Sequence, residues 1–128
     1  MRALKVYIAG PMTGYPLWNF PAFDEAAEYL RACGYEVVNP ADLDRAVGFD
    51  ETTAEIAPPG FLRGALKRDL AAICECDAVA VLEGWRLSRG AMLEVLLANR
   101  LGLLVIDAET TENLSEDIEE LVKGRIMA

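Results

Sequence analysis

A three-layer, doubly wound α/β fold with a parallel sheet of about four to five strands in the order 2-1-3-4 is what this sequence predicts. Two observations predict it. Strand-like and helix-like segments alternate along the chain, and the strand-like segments, such as LKVYIA and DAVAVL, are apolar throughout instead of at every second position. Strands apolar on both faces belong to a parallel sheet covered on both sides. Right-handed crossovers then leave the doubly wound, Rossmann-like arrangement as the natural solution.

The elements follow in order. Leu4 to Ala9 reads as a buried strand, closed by Gly10-Pro11. The loop GPMTGYPLWN comes next, and Phe20 to Cys33 has helical apolar spacing, with Pro21 tolerated in the first turn and Gly34 as the stop. Tyr35 to Val38 is a second strand. Residues 41 to 62 have no clear element beyond a short helix near Ala41 to Val47 and the break Pro58-Pro59-Gly60; a stretch this long in a compact domain points to a lid or binding loop. Gly64 to Cys74 is helical, Asp77 to Leu82 is a strand, Ser88 to Leu101 a helix and Leu103 to Ile106 a fourth strand. Ser115 to Val122 opens a last helix, with Ser115 as cap and acids in the first turn. At 128 residues and 53% hydrophobic content, the whole chain, 1-128, fits one domain with a real core.

Composition narrows the function. With 12 basic and 21 acidic residues, a net charge of −9 repels polyanions, so a nucleic-acid polymer is excluded while a mononucleotide is not. The longest apolar runs fall well short of the ~20 residues that cross a bilayer, and the N-terminus lacks the apolar core of a signal peptide. A soluble cytoplasmic protein with no membrane partner is expected. Cys33, Cys74 and Cys76 are an odd set expected to stay reduced. The chain has no histidine, so neither a zinc site nor a Ser-His or Cys-His nucleophile is expected, and no metal or cofactor is assigned. Acid-base work falls to Asp, Glu, Tyr, Lys or Cys.

In a doubly wound sheet, ligands bind beyond the C-terminal strand ends where the strand order reverses, here between strands 1 and 3. Two segments leave those strands, GPMTGYPLWN and EGWRLSRGAMLE. The first supplies Gly10, Pro11, Met12 and Asn19 as candidate substrate contacts, and the second Ser88, Arg89 and Gly90. Glu94 stands out. On a helical wheel it lies about 130° from Arg89 and Arg100, with no cation three or four residues away. A carboxylate left in apolar surroundings costs several kcal/mol unless something compensates.

Ser88 is a good N-cap, and Gly90 lies one turn above Glu94 on nearly the same face. The helix start can therefore cradle an anion about one turn from a carboxylate. An equally weighted alternative has Gly90 permitting close helix packing and Glu94 satisfied by a backbone amide. Tyr7, near the end of strand 1, either reaches this crevice or is simply a core aromatic. Asp69, beside Lys67 and Arg68, is either functional or a solvated surface acid. Trp18, Phe49 and Trp85 either stack on a heterocycle or cap the core.

VYIAGPM at strand 1, RDLAAICECDAVAVL leading through strand 3 and SRGAMLE on the following helix together resemble the nucleoside 2-deoxyribosyltransferase-like superfamily, in particular its small phage- and prophage-associated branch. The S/D-x-G-x-x-x-E signature is the most specific of the three. The resemblance implies that Glu94 is the nucleophile, Tyr7 the tyrosine that positions it and Asp69 the acid that contacts the nucleobase. Transferases of that superfamily commonly have an aspartate where this chain has Ser88. Members that hydrolyse 2′-deoxynucleoside 5′-monophosphates have a serine there, contacting phosphate. The implied activity is cleavage of the N-glycosidic bond of a deoxynucleotide or deoxynucleoside, with transfer to water or another base.

Two other readings of the residues are a nucleotide-binding or sensing module without chemistry, and an assembly protein in which Glu94 makes a structural hydrogen bond. The helix from Ser88 to Leu101 is apolar nearly all round, which suits burial on both sides and hence a homodimer or larger homo-oligomer.

Overall fold

The computed structural model describes residues 2–127, with side chains through Gly124. Four strands, β1 (Lys5–Ala9), β2 (Glu36–Val38), β3 (Ala78–Val81) and β4 (Leu104–Asp107), form one parallel sheet in the order β2-β1-β3-β4. The fold class and strand order are those the sequence predicts. Around the sheet lie α1 (Phe20–Ala32), α2 (Pro40–Ala46), α3 (Phe61–Cys74), α4 (Arg89–Arg100) and α5 (Ser115–Met127). No helix of the described residues is long and apolar enough to cross a membrane.

The continuous apolar strands have a direct structural reason. Val6 and Ile8 of β1 and Ala78 and Ala80 of β3 point to one face, where Phe20, Phe23 and Leu30 of α1 cover them. Tyr7, Ala9, Val79 and Val81 point to the other, against Ile73 of α3, Ala91, Val95 and Ala98 of α4 and Ile118 of α5. Alternating side chains thus feed two separate cores. In register, Tyr7 pairs with Val38 and Val79, so both switch-point strands end level with each other.

Several boundaries differ from the sequence-based expectation. Helix α3 begins at Phe61 instead of Gly64, because Gly60 takes the left-handed conformation (φ 77°) that turns the chain into the helix. Helix α2 starts at Pro40, capped by Asn39, whose side chain accepts from the Ala41 N–H at 3.0 Å. The final helix runs on to Met127. Helix α4 is one-sided within the chain: Ala91, Met92, Glu94, Val95 and Ala98 are buried, whereas Leu93 is 43% exposed.

The loop between β1 and α1 contains three consecutive left-handed residues, Leu17, Trp18 and Asn19 (φ 52°, 57° and 61°). None is glycine, so each is held at a cost. The holding bonds are Trp18 N–H to the Tyr15 carbonyl at 3.0 Å, the Trp18 indole to the Ala54 carbonyl at 2.9 Å and the Asn19 amide to the Pro11 carbonyl at 2.9 Å. This turn fixes the path of residues 10–16 over the C-terminal edge of the sheet.

Candidate functional site

A crevice of about 460 Å³ opens beyond the ends of β1 and β3, a size suited to a small-molecule ligand. Tyr7 and Glu94 meet at its floor. Tyr7 is fully buried, and its hydroxyl donates a hydrogen bond to Glu94 Oε2. Glu94 is itself only 6% exposed. Tyr7 is therefore both a core aromatic and a site residue: its ring packs under the sheet face while its oxygen reaches the carboxylate.

The two readings of Gly90 are separated by geometry. A Cβ built there meets nothing within 4 Å, so no helix packs closely against it. The bare helix turn faces the crevice instead, and Gly90, Ser88, Arg89 and Glu94 all line it. Ser88 caps α4, accepting from the Ala91 N–H at 3.2 Å. The Arg89 and Gly90 amides, in the first turn, have no acceptor within the helix and sit at its positive end. An anionic group would be stabilised there.

The first loop contributes unevenly. Gly10, Pro11 and Met12 line the crevice. Gly10 is there because Leu82, just past the end of β3, crowds it: a Cβ would lie 2.8 Å from Leu82 Cβ. Asn19, expected as a substrate contact, does not line this crevice; it borders a neighbouring depression, and its amide is spent on the Pro11 carbonyl. Its role is to hold the loop. Trp18 and Phe49 are crevice residues, whereas Trp85 is packed in the core beneath Arg86, 5.1 Å from the ring centre.

Asp69 is no solvated surface acid. It lines the crevice, and its Oδ1 is buried with no hydrogen-bond partner. Asp44, which the sequence did not single out, joins it: only 4% exposed, it lines the same crevice and has an Oδ1 without a hydrogen-bond partner. It is ion-paired with Arg68, whose Nη2 stands 3.7 Å from Asp44 Oδ1 and whose guanidinium lies 5.6 Å from the Phe61 ring centre. Helices α2, α3 and α4 thus each deliver one carboxyl to one crevice.

These groups shift one another. Burial pushes Glu94 up to about 8, opposed by the hydrogen bond from Tyr7 and reinforced by the Asp69 and Asp44 charges. Burial and Asp44 raise Asp69 to about 7, with Arg68 and Tyr7 acting against them. Asp44 rises to about 6 through burial, again countered by Arg68. Burial and the Glu94 charge push the Tyr7 phenol well above its usual value, so it remains a donor. Near neutral pH the cluster holds protons and free carboxylate together, and it titrates as a unit.

One wall is aromatic. Phe49 stacks on Phe61 at 4.8 Å between ring centres, and Trp18 meets Phe49 edge-on at 5.3 Å. Phe49 comes from the stretch 41–62 that sequence patterning left largely unresolved, tied down by the Trp18 indole and by Arg45, whose Nε donates to Glu51 at 2.9 Å. Among the described residues, no group of three Asp, Glu or Cys side chains is arranged to hold a metal ion.

Comparison with known proteins adds the following. No curated protein matches the chain. Among solved structures, it is similar to a conserved protein from Enterococcus faecalis V583, at 16% identity and a TM-score of 0.59, over 99% of this chain and 77% of that one. That likeness concerns the fold alone. Residues 4–107 match the family model described as a domain of unknown function, DUF4406, and this range contains Tyr7, Asp44, Asp69, Ser88 and Glu94. The match spans most of the chain and every residue of the crevice named above, and the chain belongs to the DUF4406 family.

Proposed function

We propose that this protein cleaves the N-glycosidic bond of a 2′-deoxynucleoside 5′-monophosphate, or of a deoxynucleoside, through a covalent intermediate on Glu94. The observation that carries the reading is the buried Glu94 carboxyl held by the Tyr7 hydroxyl beneath the bare turn at Gly90. Burial of a carboxyl is costly, and an orienting hydrogen bond with open space above it suits a nucleophile.

In the first step the Glu94 carboxylate attacks C1′ as the bond from C1′ to the base nitrogen breaks, and the electron pair leaves with the base. Asp69 or another acid of the crevice protonates the base. Positive charge develops on the sugar ring in the transition state, and a carboxylate in a water-poor site stabilises it. That same charge favours the ionised form of Glu94 when it is needed. In the second step water gives up a proton to the carboxylate left on the acid and attacks C1′, or a second base does so, and the Glu94 carboxylate is released. The Ser88 hydroxyl, the Arg89 and Gly90 amides and the Arg89 guanidinium, on residues whose backbone lies about 6 to 9 Å along the helix axis from Glu94, suit a 5′-phosphate.

One observation favours a second reading, a nucleotide-binding module without chemistry: burial that raises Glu94 to about 8 leaves much of it protonated at neutral pH. Turnover separates the two. Purified protein is incubated with deoxynucleosides and their 5′-monophosphates, with and without an acceptor base, and free bases are measured by chromatography. Base release is expected, and its dependence on the acceptor distinguishes transferase from hydrolase. Binding by calorimetry with no release from any substrate would replace the enzyme by the binding module.

A further inference from the structure

Asp44 is the part of the crevice that the proposed chemistry leaves unused. Its side chain is 94% buried, it lines the crevice, and its Oδ1 has no hydrogen-bond partner, with Arg68 Nη2 standing off at 3.7 Å. Asp69 Oδ1, on the neighbouring helix, is buried and also lacks a hydrogen bond. Buried polar atoms of folded proteins are nearly always paired, and one left unpaired destabilises the fold. Two such oxygens lining one crevice, next to the stacked rings of Phe49 and Phe61, are acceptors awaiting donors from a flat ligand.

The charge balance selects the kind of ring. Three carboxyls, Asp44, Asp69 and Glu94, line this crevice; Arg89 lines it at the start of α4, whereas Arg68, the ion-pair partner of Asp44, does not. A ring carbonyl placed against a carboxylate oxygen meets like partial charge. An exocyclic amino group in the same place donates to it.

We infer that Asp44 is a specificity-determining residue, selecting a nucleobase that carries an exocyclic amino group over the analogue with a carbonyl or hydrogen in its place. This rests on the nucleotide reading of the site, though not on its catalytic half. Above pH 7 Asp44 is chiefly ionised, since burial raises it only to about 6, so it acts there as an acceptor.

The test compares matched pairs at pH 8: dCMP against dUMP and dAMP against dIMP, with both base release and calorimetric binding recorded for wild type and for the isosteric Asp44→Asn. The amino member of whichever pair fits is expected to be favoured by at least about tenfold in kcat/KM or Kd, and the carboxamide, which can donate as well as accept, is expected to bring that ratio to within about threefold. Equal handling of amino and oxo members by the wild type overturns the inference whether or not Asp44→Asn folds, and so does a preference that survives in a folded Asp44→Asn. Base release without preference overturns this inference and leaves the glycosidase standing. Amino-selective binding without release does the reverse. Binding of none of the four nucleotides overturns both.

Discussion

At the residue scale the crevice depends on one hydrogen bond and on the cost of burying Glu94. Replacing Tyr7 by Phe keeps the ring in its fully buried place and removes the donor to Glu94. That donor favours the anion, so its loss raises Glu94 further: kcat is expected to fall by about 10- to 100-fold, the acidic limb of the pH profile to move to higher pH, and KM to change much less. Stability gives an independent test. A carboxyl whose pKa is raised on folding binds its proton more tightly in the folded chain, so its contribution to stability is greatest below its unfolded value near 4.5 and declines as pH rises through about 8. Glu94→Gln is therefore expected to raise the melting temperature at pH 8.5, by an amount worth a few kcal/mol at about 1.4 kcal/mol per pKa unit, and to change it little at pH 4. Equal shifts at both pH values would mean that desolvation of the charge is not what Glu94 costs the fold.

At the element scale the start of α4 sets packing against function. Gly90 has open space around it, and alanine is the better helix former by up to about 1 kcal/mol. Gly90→Ala is expected to leave the melting temperature equal or higher while raising KM, because a methyl group stands where the ligand approaches Glu94. Gly10→Ala should behave in the opposite way. Its Cβ would lie 2.8 Å from Leu82, and overpacking of this kind costs about 1 to 3 kcal/mol, visible as a lower denaturation midpoint. The same contrast shows what was legible in the sequence. Spacing placed Ser88, Gly90 and Glu94 together at the start of one helix, and continuous apolar runs located β1, β3 and β4. Asp44 escaped notice because its meaning comes from Asp69 and Arg68, which are distant in sequence and adjacent only once α2 packs on α3. The stretch 41–62 was hard to read for a similar reason: Phe49 is placed by Phe20 and Phe61 and by the Trp18 indole on Ala54, with no local periodicity to announce it. Asn19 misled because an exposed-looking polar residue in a binding loop can equally well hold the loop to itself.

At the scale of the whole molecule, the crevice lies where a doubly wound sheet directs it, beyond β1 and β3 where the strand order reverses. Its carboxyls come from three helices, so its titration should be a property of the assembly. Activity is expected to follow a bell-shaped pH curve, low when all the carboxyls are protonated and low when none is, with the limbs falling around the values of about 6 to 8 that the cluster shows. A profile flat from pH 5 to 9 would remove the carboxyl cluster from the reaction. Leu62 and Leu87 at the crevice rim are 68% and 94% exposed, and Leu93 on the outer face of α4 is 43% exposed; we propose that these apolar surfaces support a homodimer. Sedimentation equilibrium is expected to give twice the chain mass of 14.0 kDa, with Leu93→Glu shifting it to the monomer. The most direct test of the central claim is the rate of base release by Glu94→Ala beside wild type, with nucleotide affinity measured on the same preparations. A loss of at least about a thousandfold in rate with binding retained is expected; release at the wild-type rate by the folded variant would contradict a nucleophilic role for Glu94.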